Sequence, residues 1–129
     1  MTTTLRGCIL VVDDDSRNRK LLDTLLRTDD YAVRCVENGA AALATVAVER
    51  PDAILLDLLM PGMDGFEVVR HLKADPATRS IPVIMITALD DEASRVRLAA
   101  SGIDNFITKP VDRWQLKACL EKLLVGRES

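Results

Sequence analysis

Aromatic residues are scarce, at 3% of 129 positions, so any core has to be filled by Val, Leu, Ile and Ala. Apolar residues still reach 48% and charged ones 29%, enough for a buried core under a charged exterior. The length suits one domain, expected to occupy residues 1–129 with an ordered core over about 7–125. No apolar run approaches the roughly 18 residues of a membrane span. The opening MTTTLRG lacks the apolar stretch of a secretory signal. The expectation is a cytoplasmic protein without a membrane segment. Cysteine is also sparse: Cys8, Cys35 and Cys119 are odd in number and far apart. That is neither a disulfide framework nor zinc-ligand spacing, and small reduced apolar fillers are expected. Lys and Arg total 17 against 20 Asp and Glu, a net charge of −3. No basic stripe exists to follow a phosphate backbone, so direct nucleic-acid binding by this domain is not expected.

What is present alternates short apolar runs with amphipathic stretches. CILVV, from Cys8 to Val12, is a strand-length run ended by three aspartates. Leu21, Leu22, Leu25 and Leu26 then repeat at helix period. Tyr31 to Val36 alternates like a strand, and Asn38-Gly39 opens an alanine-rich helix that reaches about Val48 and stops before Pro51. Ala53 to Asp57 is a buried-type strand, MPGMDG a turn, and Phe66 to Ala74 a helix with Val68, Val69 and Leu72 on one side. Pro82 to Thr87 is the fourth strand and Glu92 to Ala100 the fourth helix, closed by Gly102. Phe106-Ile107 marks a short fifth strand, and Asp112 to Leu124 a last helix with Leu116, Leu120, Leu123 and Leu124 along its apolar side.

Five β-then-α units predict an α/β fold, a doubly wound parallel sheet with helices on both faces. In such a sheet the site lies beyond the carboxyl ends of the strands. Those ends carry Asp13-Asp14-Asp15, Asp57, Thr87-Ala88 and Thr108-Lys109-Pro110. Strands about 4.8 Å apart bring these groups around one small ion or group. Clustered carboxylates raise one another's pKa unless a cation neutralises them. Hard oxygen ligands with room for water suit Mg²⁺. A carboxylate beside such an ion can act as a nucleophile towards phosphorus, with Lys109 neutralising one phosphoryl oxygen and Thr87 donating to another.

VVDDD, ILLDLLMPGMDG, IMITA and ITKP, in this order and spacing, closely resemble the receiver domains of response regulators, over essentially the whole chain. The resemblance implies a flavodoxin-like fold with strand order 2-1-3-4-5. It also implies phosphoryl transfer from a sensor histidine kinase or a histidine phosphotransfer protein. On that basis Asp57 is the phosphoacceptor, Asp14 and Asp57 ligate Mg²⁺ through side chains, Leu59 does so through its backbone carbonyl, and Asp13 acts through a bound water. Thr87 and Lys109 contact the phosphoryl group. Thr87 and Phe106 form the switch, Leu59 and Leu89 flank the path of hydrolytic water, and the Lys109-Pro110 bond is cis. Output is expected through the face of the fourth helix, fifth strand and fifth helix, to a target or output domain or in a phosphorylation-dependent dimer. Two residues depart from the common pattern. Phe106 stands where many relatives have tyrosine, and Val111 where phenylalanine often follows Lys-Pro.

Plainer readings stand beside these. Asp15 or Ser16 caps the first helix, and Asp64-Gly65 are turn and helix-start residues without a ligand role. His71 falls mid-helix, a surface imidazole, and Arg95 and Arg97 make either a solvated helix face or part of a partner surface. Trp114 is either core edge or contact surface. A true phosphohydrolase of the haloacid-dehalogenase type would need an acid two residues after the nucleophile, where this chain has Leu59. The expectation is therefore no enzyme beyond its own phosphorylation and dephosphorylation. A pseudo-receiver that never takes phosphate is opposed by the intact set Asp14, Asp57, Thr87 and Lys109. A nucleotide-binding domain is opposed by the missing glycine-rich loop after the first strand. Whether the chain stands alone or belongs to a longer protein is left open by its sequence.

Overall fold

Runs rich in Val, Ile and Leu supply the three central strands of a computed structural model that describes residues 6–125. The reading of the MTTTL start as no leader, and of the residues after 125, lies outside the described residues. The order is β1 (Cys8–Val12), α1 (Ser16–Thr28), β2 (Ala32–Val36), α2 (Gly39–Val48), β3 (Ala53–Asp57), α3 (Gly65–Ala74), β4 (Val83–Thr87), α4 (Glu92–Ala100), β5 (Asn105–Thr108) and α5 (Arg113–Val125). All neighbouring strands pair in parallel, in the order β2-β1-β3-β4-β5. That is the flavodoxin-like doubly wound sheet expected from the sequence. Expected and observed element ends differ by one or two residues at most, as helix fraying and short strands allow.

The alternation of side chains along each strand divides the core in two. Leu10, Val12, Ile54, Leu56, Val83 and Met85 face α2, α3 and α4. Ile9, Val11, Leu55, Ile84, Ile86 and Ile107 face α1 and α5. Every residue of β3 and β4 is buried, which is why these strands read as continuous apolar runs. β2 is an edge strand, half-exposed.

The helices start where a short polar side chain meets their free N–H groups. Asp15 accepts from Arg17 N–H at 2.8 Å, Asn38 from Ala41 N–H at 2.7 Å and Asp64 from Glu67 N–H at 2.9 Å. Asp91 accepts from Ser94 N–H at 3.1 Å, and Asp112 from Trp114 N–H at 2.8 Å. Asp15, not Ser16, is thus the cap of α1.

Two expectations resolve differently from a uniform core. Cys119 is buried, but Cys8 is only half-buried and Cys35 is exposed. Cys35 lies exposed near the end of β2, a strand at the edge of the sheet, so it is not a core filler. Trp114 is 65% exposed, which makes it surface rather than core edge. His71, Arg95 and Arg97 are exposed as expected.

Candidate functional site at the carboxyl edge of the sheet

Register places the site. Val12 pairs with Leu56, so Asp13, one residue beyond β1, stands beside Asp57 at the end of β3. Asp57 in turn pairs with Ile86, and Thr87 with Thr108, so Thr87 and Lys109 follow along the same edge. Asp13, Asp57 and Thr87 are the buried polar residues of the described chain, at 2%, 5% and 1% exposure. A buried charge survives only with partners. Lys109 Nζ lies 3.2 Å from Asp57 Oδ1. Asp13 Oδ1 accepts from Asp15 N–H at 2.8 Å, and Arg19 Nη1 donates to the Asp13 carbonyl at 2.7 Å.

Carboxylate oxygens of Asp13, Asp14 and Asp57 all lie within 4.8 Å of one another. Asp14 is exposed, whereas the other two are buried. This set meets the demands of a hard divalent cation: oxygen donors, an open side for water, and no competing imidazole or thiolate in the group. Electrostatics point the same way. Burial, then the neighbouring Asp13 charge, push the Asp57 carboxyl up to about 6, against the pull of Lys109. A carboxylate held that far above its ordinary value is short of positive charge, which a cation would supply.

Thr87 reaches the edge through a turn. Its Oγ1 accepts from Leu89 N–H at 3.0 Å. Among the described residues no acceptor takes its hydroxyl hydrogen. The backbone of Lys109 is set by its N–H donating to the Thr87 carbonyl at 2.8 Å, and the Lys109-Pro110 bond is cis. Phe106 is half-buried and packs, with Leu89 and Ile103, on the α2–α3–α4 side of the core. Leu59 is 58% exposed in the loop after β3.

That loop is held from below. Gly65 N–H donates to the Leu58 carbonyl at 2.8 Å. A Cβ on Gly65 would stand 2.7 Å from Met85 Sδ and 3.0 Å from the Asp57 carbonyl oxygen. Glycine there does more than turn the chain, a role that MPGMDG does not reveal, because the obstacle belongs to another strand. The sequence also gave no sign of Arg19, which braces Asp13 from one turn into α1. A largely apolar cavity of about 380 Å³ opens beside the edge, lined by Leu21, Leu22, Ile86, Pro110 and Val111 and sharing Asp13 and Lys109 with the site.

A family model described as response regulator receiver domain matches residues 9–121. Response regulator PleD of Caulobacter vibrioides is 50% identical over 115 residues, covering 89% of this chain and 25% of that protein. The chain thus spans about a quarter of the length of that relative. Among solved structures, the signal receiver domain of a signal transduction histidine kinase from Syntrophus aciditrophicus is 40% identical. Its TM-score is 0.87, with 93% of this chain and 91% of that one covered. The receiver domain of a sensor histidine kinase from Pseudomonas aeruginosa PAO1 is 29% identical, with a TM-score of 0.86. The match covers 92% and 98% of the two chains, and that structure has a magnesium ion coordinated in its active site cleft.

Proposed function

Because this chain belongs to the response regulator receiver domain family, we propose that it accepts a phosphoryl group on Asp57 and signals by the change of shape that follows. Membership makes it a receiver domain of two-component signalling. The unit that does this work is residues 1–129 taken as one domain, with its core at about 7–125. The observation that carries the reading is one carboxylate, Asp57, buried at the end of β3 with Lys109 Nζ at 3.2 Å and the oxygens of Asp13 and Asp14 close by.

The donor is a phosphohistidine on a sensor histidine kinase or a phosphotransfer protein. A carboxylate oxygen of Asp57 attacks phosphorus, the O–P bond forms, the P–N bond to the imidazole breaks, and the ring nitrogen leaves with the electron pair. Ionised Asp57 is the nucleophile, so the attack needs pH above its raised pKa of about 6 or a charge that lowers it. Lys109 neutralises a phosphoryl oxygen and Thr87 donates its unused hydroxyl hydrogen to another. Asp14 and Asp57 would hold Mg²⁺ through their side chains, Asp13 through water and Leu59 through its carbonyl. Among the described residues no backbone hydrogen bond is made to that carbonyl. Bound there, the ion supplies charge neutralisation for the crowded oxygens.

Thr87 moving toward the phosphoryl group opens the space into which Phe106 turns, and phenylalanine has no hydroxyl bond to lose on burial. The readout face is α4–β5–α5, toward an output domain, a target or a second phosphorylated copy. Val96 at 63% and Trp114 at 65% exposure lie on the helices of that face. The only chemistry proposed is turnover of its own phosphoryl group, in a cytoplasmic setting. No helix among the described residues is long and apolar enough to cross a membrane. The test is labelling with acetyl phosphate and Mg²⁺, read by intact mass. One added phosphoryl group on the natural chain and none on Asp57→Asn supports the reading. Undiminished labelling of that variant would overturn it.

A further inference from the structure

Between α3 and α4 runs an open groove of about 570 Å³, lined by Arg70 and Lys73 from one helix, Arg97 from the other, and Phe66. No carboxylate lines it. The chain as a whole is acidic, at −3, so three cations together run against its composition. None of them is ion-paired among the described residues, where Arg27, Arg34, Arg95, Lys109 and Arg113 make the ion pairs. The Arg97 guanidinium carbon lies 4.0 Å from the centroid of the Phe66 ring. That cation–π contact fixes the arginine across the groove and leaves its charge without a counter-ion.

The plain account is that cations near helix C-termini complement the macrodipoles. It covers Lys73, in the last turn of α3, which donates to the Arg79 carbonyl at 3.0 Å. It also covers Arg97, in the last turn of α4, which stacks on Phe66 as well. It does not cover Arg70, which precedes the last turn of α3.

We propose that this groove docks an acidic segment of a partner protein, one whose carboxylates meet Arg70, Lys73 and Arg97. The layout of the cations decides between carboxylates and phosphate. Ala74, Ala100 and Ser101 bring the C-terminal ends of α3 and α4 to this groove, so neither anion meets free helix N–H groups there and the side-chain cations alone would hold it. Ser101 Oγ already donates to the Leu98 carbonyl at 2.6 Å. What remains is a set of side-chain cations, two of them three residues apart and so about 5–6 Å apart along α3, and one facing them. Carboxylates spaced along a chain answer that layout better than one concentrated dianion. The proposal does not depend on the role of Asp57.

A labelled Glu/Asp-rich peptide, its Gln/Asn counterpart and inorganic pyrophosphate are titrated into the isotope-labelled full chain, following amide resonances and anisotropy. The acidic peptide should shift the amides of Arg70, Lys73, Arg97 and Ser101, and weaken as salt rises. Arg70→Glu with Arg97→Glu should weaken it about tenfold or more, since like charges then face each other. Arg17→Glu with Lys20→Glu, the same charge change on α1, should leave it unaltered. Arg97→Lys, which keeps the charge, should retain binding. If the reversed pair unfolds by circular dichroism, Arg70→Gln with Lys73→Gln gives the same comparison. Acetyl-phosphate labelling of Asp57 should be unchanged in all of these, which separates this test from that of the phosphoacceptor. Equal weakening by the α1 pair, equal binding of the Gln/Asn peptide, or stronger shifts with pyrophosphate at the same amides would each overturn the proposal.

Discussion

Lys109 Nζ and Asp57 Oδ1 stand 3.2 Å apart, yet the Asp57 carboxyl remains at about 6. One lysine, with its side chain 29% exposed, does not offset the burial of the carboxylate and the charge of Asp13.

The sign of that imbalance gives the first prediction. The folded carboxyl binds its proton more tightly than a free aspartate, whose ordinary value is 3.8. Its contribution is therefore favourable to folding below that value and lost as pH rises through about 6. Asp57→Asn removes the ionisation, so the metal-free variant should melt higher than the natural chain at pH 7 and show a smaller difference at pH 4. Thermal melts in a chelator across that range check it. A variant less stable at pH 7 would contradict it.

At the proposed site Mg²⁺ and the proton would compete for the same oxygens. Affinity for Mg²⁺ should fall steeply below about pH 6, where Asp57 takes up its proton. Asp14→Ala should lose ion binding and phosphorylation together without much change in melting, because Asp14 is exposed. Isothermal titration at several pH values is the measurement. Normal labelling of Asp14→Ala would reduce that residue to a surface charge.

Lys109→Ala should lower the labelling rate far more than the stability. Lys109 is partly exposed while Asp57 is buried, and protonation of Asp57 relieves the charge that loss of the lysine would leave without its partner. A large drop in melting temperature would show that the lysine is mainly structural.

The β3–α3 loop offers a steric test. Gly65→Ala puts a methyl 2.7 Å from Met85 Sδ and 3.0 Å from the Asp57 carbonyl. Overpacking of that kind costs about 1–3 kcal/mol. Because the displaced backbone is that of Asp57, Mg²⁺ affinity should fall as well. Unaltered affinity in a folded variant would mean that the loop does not set the site.

Leu59 and Leu89 cannot orient a water by hydrogen bonding. Replacing both with polar residues should speed loss of the phosphoryl group, measured after removal of the donor. An unchanged lifetime would take them out of the hydrolytic path.

The parts of this molecule that show in its sequence are those fixed by one strand at a time. β3 and β4 are buried on both faces, so their apolar runs announce them, and the residue that ends each run falls at the carboxyl edge. Asp13, Asp57, Thr87 and Lys109 could be gathered in advance for that reason. The remainder depends on contacts between distant elements. Cys35 reads as apolar, but its exposure follows from β2 being at the sheet edge. Trp114, one position inside α5, faces outward because the buried stripe falls on Leu116, Leu120 and Leu124. The stacking of Arg97 on Phe66 joins two helices and leaves no periodic trace.

The short turn at Thr87 carries a consequence for timing. Its Oγ1 holds the Leu89 N–H at 3.0 Å in this structure. A threonine that swings away to a phosphoryl group releases that N–H, and an amide left without a partner costs about 1–3 kcal/mol until water or another acceptor meets it. On the proposed switch, the hydroxyl would act as a latch on its own loop, and resting and signalling forms would be separated by a threshold. A phosphoryl group, which offers the hydroxyl a charged acceptor, would be what lifts the latch.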